Sequence, residues 1–235
     1  MMEIRPNVEI IGCTLWLKKE KVLIINDLHL GYEESLQHKG ILVPKFQLET
    51  ILHELQKVFG VVQPAVLVIN GDLKHEFGKI LRQEWKEVLQ FLDFCQQKCG
   101  KIIIVKGNHD PIIESLVRTK EISIVGSHRV GDILIVHGDE IVETDAPVVI
   151  IGHEHPAITI RAGSKWEKYK CFLNGKLGKK EIIAVPSFNP LVEGTDILKE
   201  KVLSPYLDGI ERCKVFIVSQ GEVFNFGLLK NIPQR

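Results

Sequence analysis

Five short runs of aliphatic residues recur along the first two-thirds of the sequence and constrain its fold more than any other feature. The runs cover residues 22–25, 66–69, 102–105, 133–136 and 148–151. Runs of about four apolar residues between polar segments are typical of strands that are buried on both faces. Residues 44–59 and 78–98 have apolar residues at near-helical spacing, and these segments predict helices that cover the sheet.

The pattern changes in the second half of the chain. From about residue 121 onward, alternating apolar residues are interrupted by glycine-containing turns, and this pattern predicts β-hairpins. No internal repeat, low-complexity tract or Pro/Gly/Ser-rich linker divides the sequence, so we expect residues 1–235 to form a single domain. A chain of 235 residues that is 45% hydrophobic can bury a full core, and the combined pattern predicts a layered α/β sandwich.

Composition excludes several classes of protein. No stretch approaches the roughly 20 apolar residues of a membrane span, and the opening residues MMEIRPNVEI lack the layout of a secretory signal, so we expect a soluble cytoplasmic protein. Five scattered cysteines do not suit a disulfide framework, and we expect reduced thiols. Thirty basic residues balance thirty acidic ones, so any affinity for phosphate must be local.

One local excess of positive charge lies in residues 161–180, where seven basic residues accompany a single acidic residue, Glu167. Three aromatic residues, Trp166, Tyr169 and Phe172, are interleaved with them. A solvated hairpin with its lysines on the wet face is the favoured interpretation. A surface that contacts a phosphate backbone is the alternative.

Each of the five apolar runs is followed, within a few residues, by side chains that can bind a metal ion or transfer a proton. These side chains are Asp27, His29, Asp72, Asn108, His109, Asp110, His137, His153 and His155. Because ligands of α/β sheets bind beyond the carboxyl ends of the strands, we expect these groups to gather at one edge. In extended backbone, residues at i and i+2 point to the same side, so Asp27 would face the same way as His29, and His153 the same way as His155.

Glycines accompany four of these motifs, at Gly71, Gly107, Gly138 and Gly152. We expect them to allow tight turns that bring the backbone close to a phosphate. Ordinary turns are the alternative interpretation.

The order of these motifs resembles that of the calcineurin-like metallophosphoesterase superfamily. Its pattern of Asp-x-His, Gly-Asp, Gly-Asn-His-Asp/Glu, His and Gly-His-x-His is matched at residues 27–29, 71–72, 107–110, 137 and 152–155. Asn26 stands where many members have glycine. The resemblance implies a four-layer α/β/β/α sandwich and hydrolysis of phosphoester bonds. A non-catalytic scaffold on the same fold is a further hypothesis, against which the full set of matched residues argues.

Two stretches, residues 27–33 and 71–75, are similar to the branch of this superfamily that contains the nucleases of DNA double-strand-break repair. Residues 186–191, continuing to Gly194, are similar to a small archaeal and bacterial group of phosphoesterases related to those nucleases. The resemblance implies a phosphodiester substrate in nucleic acid. Because the DNA-capping region of the repair nucleases has no match, a small molecule, a nucleotide or a phosphoprotein is the alternative substrate. A homodimer and an ATPase or helicase partner are compatible with the resemblance, but no residue indicates either.

The superfamily scheme also implies two sets of metal ligands. One metal ion would be bound by Asp27, His29, Asp72 and His155. The second would be bound by Asp72, Asn108, His137 and His153, so that Asp72 bridges the two ions. Mixed imidazole and oxygen ligands fit Mn²⁺, Fe²⁺ or Zn²⁺ better than Ca²⁺ or Mg²⁺, and Mn²⁺ is the ion that we expect to support activity in vitro.

Three further residues are candidates for catalysis by water activated at the metal pair. His109 is predicted to protonate the leaving alkoxide. Asp110 either orients the His109 imidazole or caps the turn before Pro111. His75, which matches a histidine of the nuclease branch, is a second candidate for contact with the phosphate.

Overall fold

The structure is a computed structural model that describes residues 1–77, 81–117 and 120–233. Its first sheet contains seven strands: β1 (Met2–Arg5), β2 (Val8–Ile11), β3 (Thr14–Leu17), β4 (Val22–Asn26), β5 (Val66–Asn70), β6 (Lys101–Val105) and β7 (Ser123–Val125). The strands are hydrogen-bonded in chain order. Strands β1 to β4 form an antiparallel meander, whereas β4 to β7 run parallel.

The second sheet contains the remaining strands: β8 (His128–Val130), β9 (Ile133–Val136), β10 (Val148–Ile151), β11 (Pro156–Ala162), β12 (Lys165–Leu177), β13 (Lys180–Ala184), β14 (Thr195–Asp196), β15 (Lys214–Ser219) and β16 (Glu222–Leu228). Seven of them follow the order β14-β11-β12-β13-β10-β9-β8, and β15 joins β16 to β12. Four antiparallel hairpins, β8–β9, β11–β12, β12–β13 and β15–β16, confirm the hairpins predicted beyond residue 121.

The α-helices are α1 (Tyr32–His38), α2 (Gln47–Val61), α3 (Arg82–Gln96) and α4 (Ile113–Val117). Helices α2 and α3 confirm the two predicted helices, although residues 78–80 of the second prediction lie outside the described residues. Helix α2 begins three residues later than predicted. The buried carboxylate of Glu33 accepts hydrogen bonds from the backbone N–H groups of Phe46 and Gln47, and these bonds cap the helix at its observed start. Within the described ranges, no helix is long and apolar enough to cross a membrane.

Three apolar clusters lie between and outside the sheets. Alternate residues of β4 show the arrangement, because Leu23 packs against the α-helices and Ile24 packs against the second sheet. The outer face of the second sheet is covered by loops and short 3-10 helices, Pro205–Leu207, Ile210–Arg212 and Leu229–Asn231. The predicted four-layer sandwich is therefore confirmed, and in the described part of the chain its fourth layer contains 3-10 helices in place of α-helices.

Candidate metal centre

The carboxyl ends of the predicted strands meet where the two sheets are joined. In the first sheet, the Gly71 carbonyl accepts a hydrogen bond of 3.2 Å from the Asp27 N–H, and the Gly71 N–H donates to Val105 at 2.9 Å. The Asn70 side-chain amide crosses to the second sheet and donates to the Val136 carbonyl at 2.8 Å. These bonds hold the ends of β4, β5, β6 and β9 together and bring the predicted site residues to one edge.

The first predicted ligand set is assembled in one cluster. Each of Asp27, His29, Asp72 and His155 offers an atom that lies within 4.8 Å of the corresponding atoms of the others. His29 Nε2 lies 3.4 Å from His155 Nε2 and 3.6 Å from Asp72 Oδ2. His155 Nε2 lies 3.4 Å from Asp27 Oδ1. Two carboxylates and two imidazoles thus lie close together, and this mixed set of oxygen and nitrogen donors suits a transition-metal ion.

The second predicted set is arranged around His137. Its Nε2 atom lies 2.9 Å from Asn108 Oδ1, 3.2 Å from His153 Nδ1 and 3.5 Å from Asp72 Oδ2. The structure therefore brings all four residues of this set into contact through one imidazole.

Asp72 lies between the two sets. Its Oδ2 atom faces His29 on one side and His137 on the other, at 3.6 and 3.5 Å. Its Oδ1 atom accepts a hydrogen bond of 2.9 Å from the backbone N–H of His109. A single carboxylate oxygen is thus directed at both sets, while the other oxygen fixes the carboxylate in place.

The backbone at these residues differs from the extended conformation that the i, i+2 spacing predicts. Asp27, His29, Asp72, His153 and His155 all have left-handed φ angles, between 45° and 61°. The predicted consequence nevertheless holds, because the intervening side chains turn away. Leu28 packs in the core, and Glu154 accepts hydrogen bonds from the Leu203 and Ser204 N–H groups. Left-handed backbone conformations are uncommon for residues other than glycine. Each costs about 1–3 kcal/mol, so these five residues place backbone strain at the edge where the two sheets meet.

The neighbouring glycines make room for the candidate ligands themselves, which the sequence did not predict. A Cβ atom at Gly71 would lie 2.0 Å from His137 Nδ1. At Gly107 it would lie 2.2 Å from Asp72 Oδ1, and at Gly152 it would lie 2.7 Å from Asp27 Oδ2. Any larger residue at these positions would displace a ligand side chain.

Burial sets the charge of the cluster. Burial lowers the pKa of His29 well below its ordinary value and that of His137 to about 4, so both imidazoles are neutral near pH 7 and can offer a lone pair. Burial, followed by the nearby charges of Asp27 and Asp110, raises the pKa of Asp72 to about 9. Although burial opposes ionisation of Asp27, the neighbouring His155 and His137 hold its pKa below the ordinary value. Buried carboxylates among neutral imidazoles are stabilised by divalent cations, so these residues fit a metal pair.

His109 and His75 lie beside the first ligand set. The ring of His109 packs edge-on against His29, with centroids 4.9 Å apart, and stacks with His75 at 5.6 Å. His109 Nδ1 makes a short hydrogen bond with the His75 carbonyl. Because a carbonyl only accepts, Nδ1 carries the hydrogen and Nε2 is the nitrogen left to exchange a proton.

Asp110 occupies the position of a backbone cap. Its buried carboxylate accepts hydrogen bonds from the N–H groups of Gly107, Leu73 and Lys74, at 3.1, 3.4 and 3.4 Å. Among the hydrogen bonds of the described residues, none joins it to the His109 imidazole. Of the two predicted roles, the structure favours the cap, which ties together the two loops that carry Asp72 and His109.

Two groups of supporting residues were not predicted from the sequence. Ser187 Oγ donates a hydrogen bond of 2.7 Å to the Asp27 carbonyl, and Lys170 Nζ donates to the Ser187 carbonyl at 2.7 Å. On the other side, the buried carboxylate of Glu84 accepts hydrogen bonds of 2.8 Å from the N–H groups of His75 and Glu76. Two sequence patterns covered members of the first group, the match at residues 186–191 for Ser187 and the basic segment 161–180 for Lys170, but neither predicted these contacts.

A family model described as calcineurin-like phosphoesterase matches residues 20–207. The chain belongs to the calcineurin-like phosphoesterase family. It is therefore a metal-dependent hydrolase of phosphoester bonds. No curated protein sequence matches this phosphoesterase significantly.

Solved structures resemble this phosphoesterase at low sequence identity. The crystal structure of Pseudomonas putida nuclease MPE matches with a TM-score of 0.69 and 16% identity, over 93% of this chain and 94% of that chain. The Escherichia coli phosphoesterase YfcE matches with a TM-score of 0.45 and 13% identity, over 88% of this chain and 98% of that chain. The first of these similarities confirms the fold.

The close approach at Gly107 predicts that this phosphoesterase loses metal when Gly107 is enlarged. In Gly107→Ala, the methyl group would lie 2.2 Å from Asp72 Oδ1 and 2.4 Å from the Asp72 backbone nitrogen, so Asp72 must move. We expect the metal content of the purified variant, measured by mass spectrometry, to fall below half that of the wild type. Gly126→Ala is the control, because a Cβ atom there meets nothing within 4 Å. Equal metal content in both variants would contradict the prediction.

Proposed function

We propose that this chain is a dinuclear-metal phosphodiesterase that acts on nucleic acid. The observation that carries the proposal is the position of Asp72, whose Oδ2 atom faces His29 and His137 at 3.6 and 3.5 Å, between two sets of ligand atoms. An arrangement with one shared carboxylate suits a metal pair that holds a phosphate from two sides.

The proposed ligands are those that the superfamily scheme assigns. Asp27, His29, Asp72 and His155 would hold one ion, and Asp72, Asn108, His137 and His153 would hold the other. Two divalent ions, Mn²⁺ in vitro with Fe²⁺ or Zn²⁺ as alternatives, would activate water and neutralise the charge of the phosphoryl oxygens.

His109, in its imidazolium form with both ring nitrogens protonated, is proposed to donate from Nε2 the proton that the leaving alkoxide requires. Its backbone is fixed by the N–H bond to Asp72 Oδ1 at 2.9 Å, and its ring is fixed by the bond from Nδ1 to the His75 carbonyl. These two bonds hold the ring beside the first ligand set, with its centroid 4.9 Å from that of His29. His75 stacks against this ring and holds it by its own carbonyl, so we assign His75 a positioning role.

Three observations support nucleic acid as the substrate. The layered fold is shared with a structure described as a nuclease. Residues 71–75 match the nuclease branch, and they place His75 beside the site. The hairpin of β11 and β12 begins directly after His155 and carries Arg161 and Lys165 on its exposed part.

A small phosphoester is the second candidate substrate, and the partners of the lysines in residues 161–180 favour it. Lys168 lies 3.5 Å from Glu200, Lys170 donates to Ser187, and Lys180 donates to the Thr144 carbonyl. The segment forms paired strands, but Lys170 points inward to the Ser187 carbonyl and not to the wet face, and these contacts leave a smaller cationic surface than the sequence suggests.

Cleavage of end-labelled single- and double-stranded DNA in the presence of Mn²⁺ tests the proposed substrate. We expect cleavage by the wild type and loss of cleavage in Asp72→Asn, because the amide removes the charge shared by both ligand sets. Asp145→Asn is the matched control, since the Asp145 side chain is 81% exposed and pairs with Arg129 at the surface. No DNA cleavage by a wild type that hydrolyses a small phosphodiester would favour the second candidate.

The proposed role of His109 predicts a rate defect without loss of metal. We expect His109→Ala to lower kcat about 10²- to 10⁴-fold, as is typical when a general acid is removed. Metal content should remain that of the wild type, because His109 belongs to neither ligand set. His53→Ala, at an exposed position of helix α2, serves as the control. A wild-type rate in His109→Ala with unchanged metal content would refute the acid role.

A further inference from the structure

Phe77 is an exposed aromatic residue at the edge of the candidate centre. Its side chain is 56% exposed, and its ring lies against the imidazole of His109, with centroids 4.3 Å apart. It is the outer member of a row of rings. Tyr32 packs against His75 at 4.7 Å, His75 stacks with His109 at 5.6 Å, and His109 meets Phe77. The row ends at Phe77, which is exposed to solvent.

The segment before Phe77 is held by two buried charged residues. Glu84 accepts hydrogen bonds of 2.8 Å from the His75 and Glu76 N–H groups. The fully buried Lys74 reaches the Glu76 carbonyl with its Nζ atom. These bonds fix the backbone immediately before Phe77. The ring is therefore presented by an anchored segment, which reduces the ordering cost of using it to bind a ligand.

The position of Phe77 beside His109 determines which part of the substrate its ring would contact. The proposed function places the leaving group of the substrate at His109 Nε2, and Phe77 flanks that imidazole. A phenyl ring has no charge and no conventional hydrogen-bonding group, so it offers little to a phosphate. It can stack on a flat aromatic group, and every nucleobase offers such a face whatever the nucleotide sequence.

We propose that Phe77 stacks on the base of the leaving nucleoside and thereby selects phosphodiesters in which a nucleoside departs. This inference rests on the proposed function, which supplies the nucleic acid substrate and the position of the leaving group. It adds a residue that determines specificity outside both metal-ligand sets.

The test compares two phosphodiesters that differ only in the departing group: a thymidine dinucleotide and the corresponding thymidine phosphate methyl ester. The value of kcat/KM is measured for both substrates with the Mn²⁺-loaded wild type, Phe77→Ala, Phe77→Leu and Phe77→Trp. Both ester isomers, 3′ and 5′, are included so that either direction of cleavage is covered. Phe77→Leu preserves apolar bulk without a ring, whereas Phe77→Trp preserves the ring.

We expect the preference for the dinucleotide over the methyl ester to fall about 10-fold or more in Phe77→Ala and Phe77→Leu, which is the size of one lost base stack, and to persist in Phe77→Trp. A second measurement does not depend on turnover. A non-hydrolysable phosphonate dinucleotide with 2-aminopurine as the departing base should lose fluorescence on binding to the wild type, and less so on binding to Phe77→Ala.

Two outcomes would overturn the inference, and they are distinguishable. If the wild type cleaves dinucleotides but the preference and the fluorescence are the same in Phe77→Ala, the stacking role fails while the proposed function stands. If the wild type hydrolyses the methyl esters but no dinucleotide, the proposed function fails and the stacking role fails with it.

Discussion

The structure depends on one buried carboxylate at the junction of its two sheets. Asp72 follows β5 in the first sheet, and its Oδ2 atom lies 3.5 Å from His137, which follows β9 in the second. On its other side it lies 3.6 Å from His29. Such a carboxylate is costly to bury without compensation, and burial raises its pKa to about 9. A divalent cation bound between the two ligand sets would supply that compensation.

Much of the surrounding structure maintains this arrangement. Five candidate ligands adopt left-handed φ angles, a strain that the neighbouring packing must offset. Gly107 leaves the space that the Asp72 carboxylate occupies. Asp110 ties the two flanking loops through their N–H groups, and Ser187 holds the Asp27 carbonyl. These contacts hold the candidate ligand side chains in place, which is the condition for electrostatic stabilisation without reorganisation.

Sequence patterns predicted the parts of the molecule that depend on local periodicity. All five apolar runs form strands, with bounds that differ by at most one residue at either end, as for β4 at Val22–Asn26. Strands β1 to β3 and the seven-residue helix α1 were not predicted from the sequence. The gathering of ligand residues was predictable because parallel strands end at one edge. The left-handed angles and the role of Glu84 were not, because both depend on contacts between segments that are distant in sequence.

The central claim is that two metal ions share Asp72. Crystals grown with Mn²⁺ and measured near the manganese absorption edge would test it directly, because anomalous scattering locates the ions independently of activity. We predict two anomalous peaks beside Asp72, one next to His29 and His155 and the other next to Asn108 and His153. A single peak, or peaks that do not contact Asp72, would contradict the account.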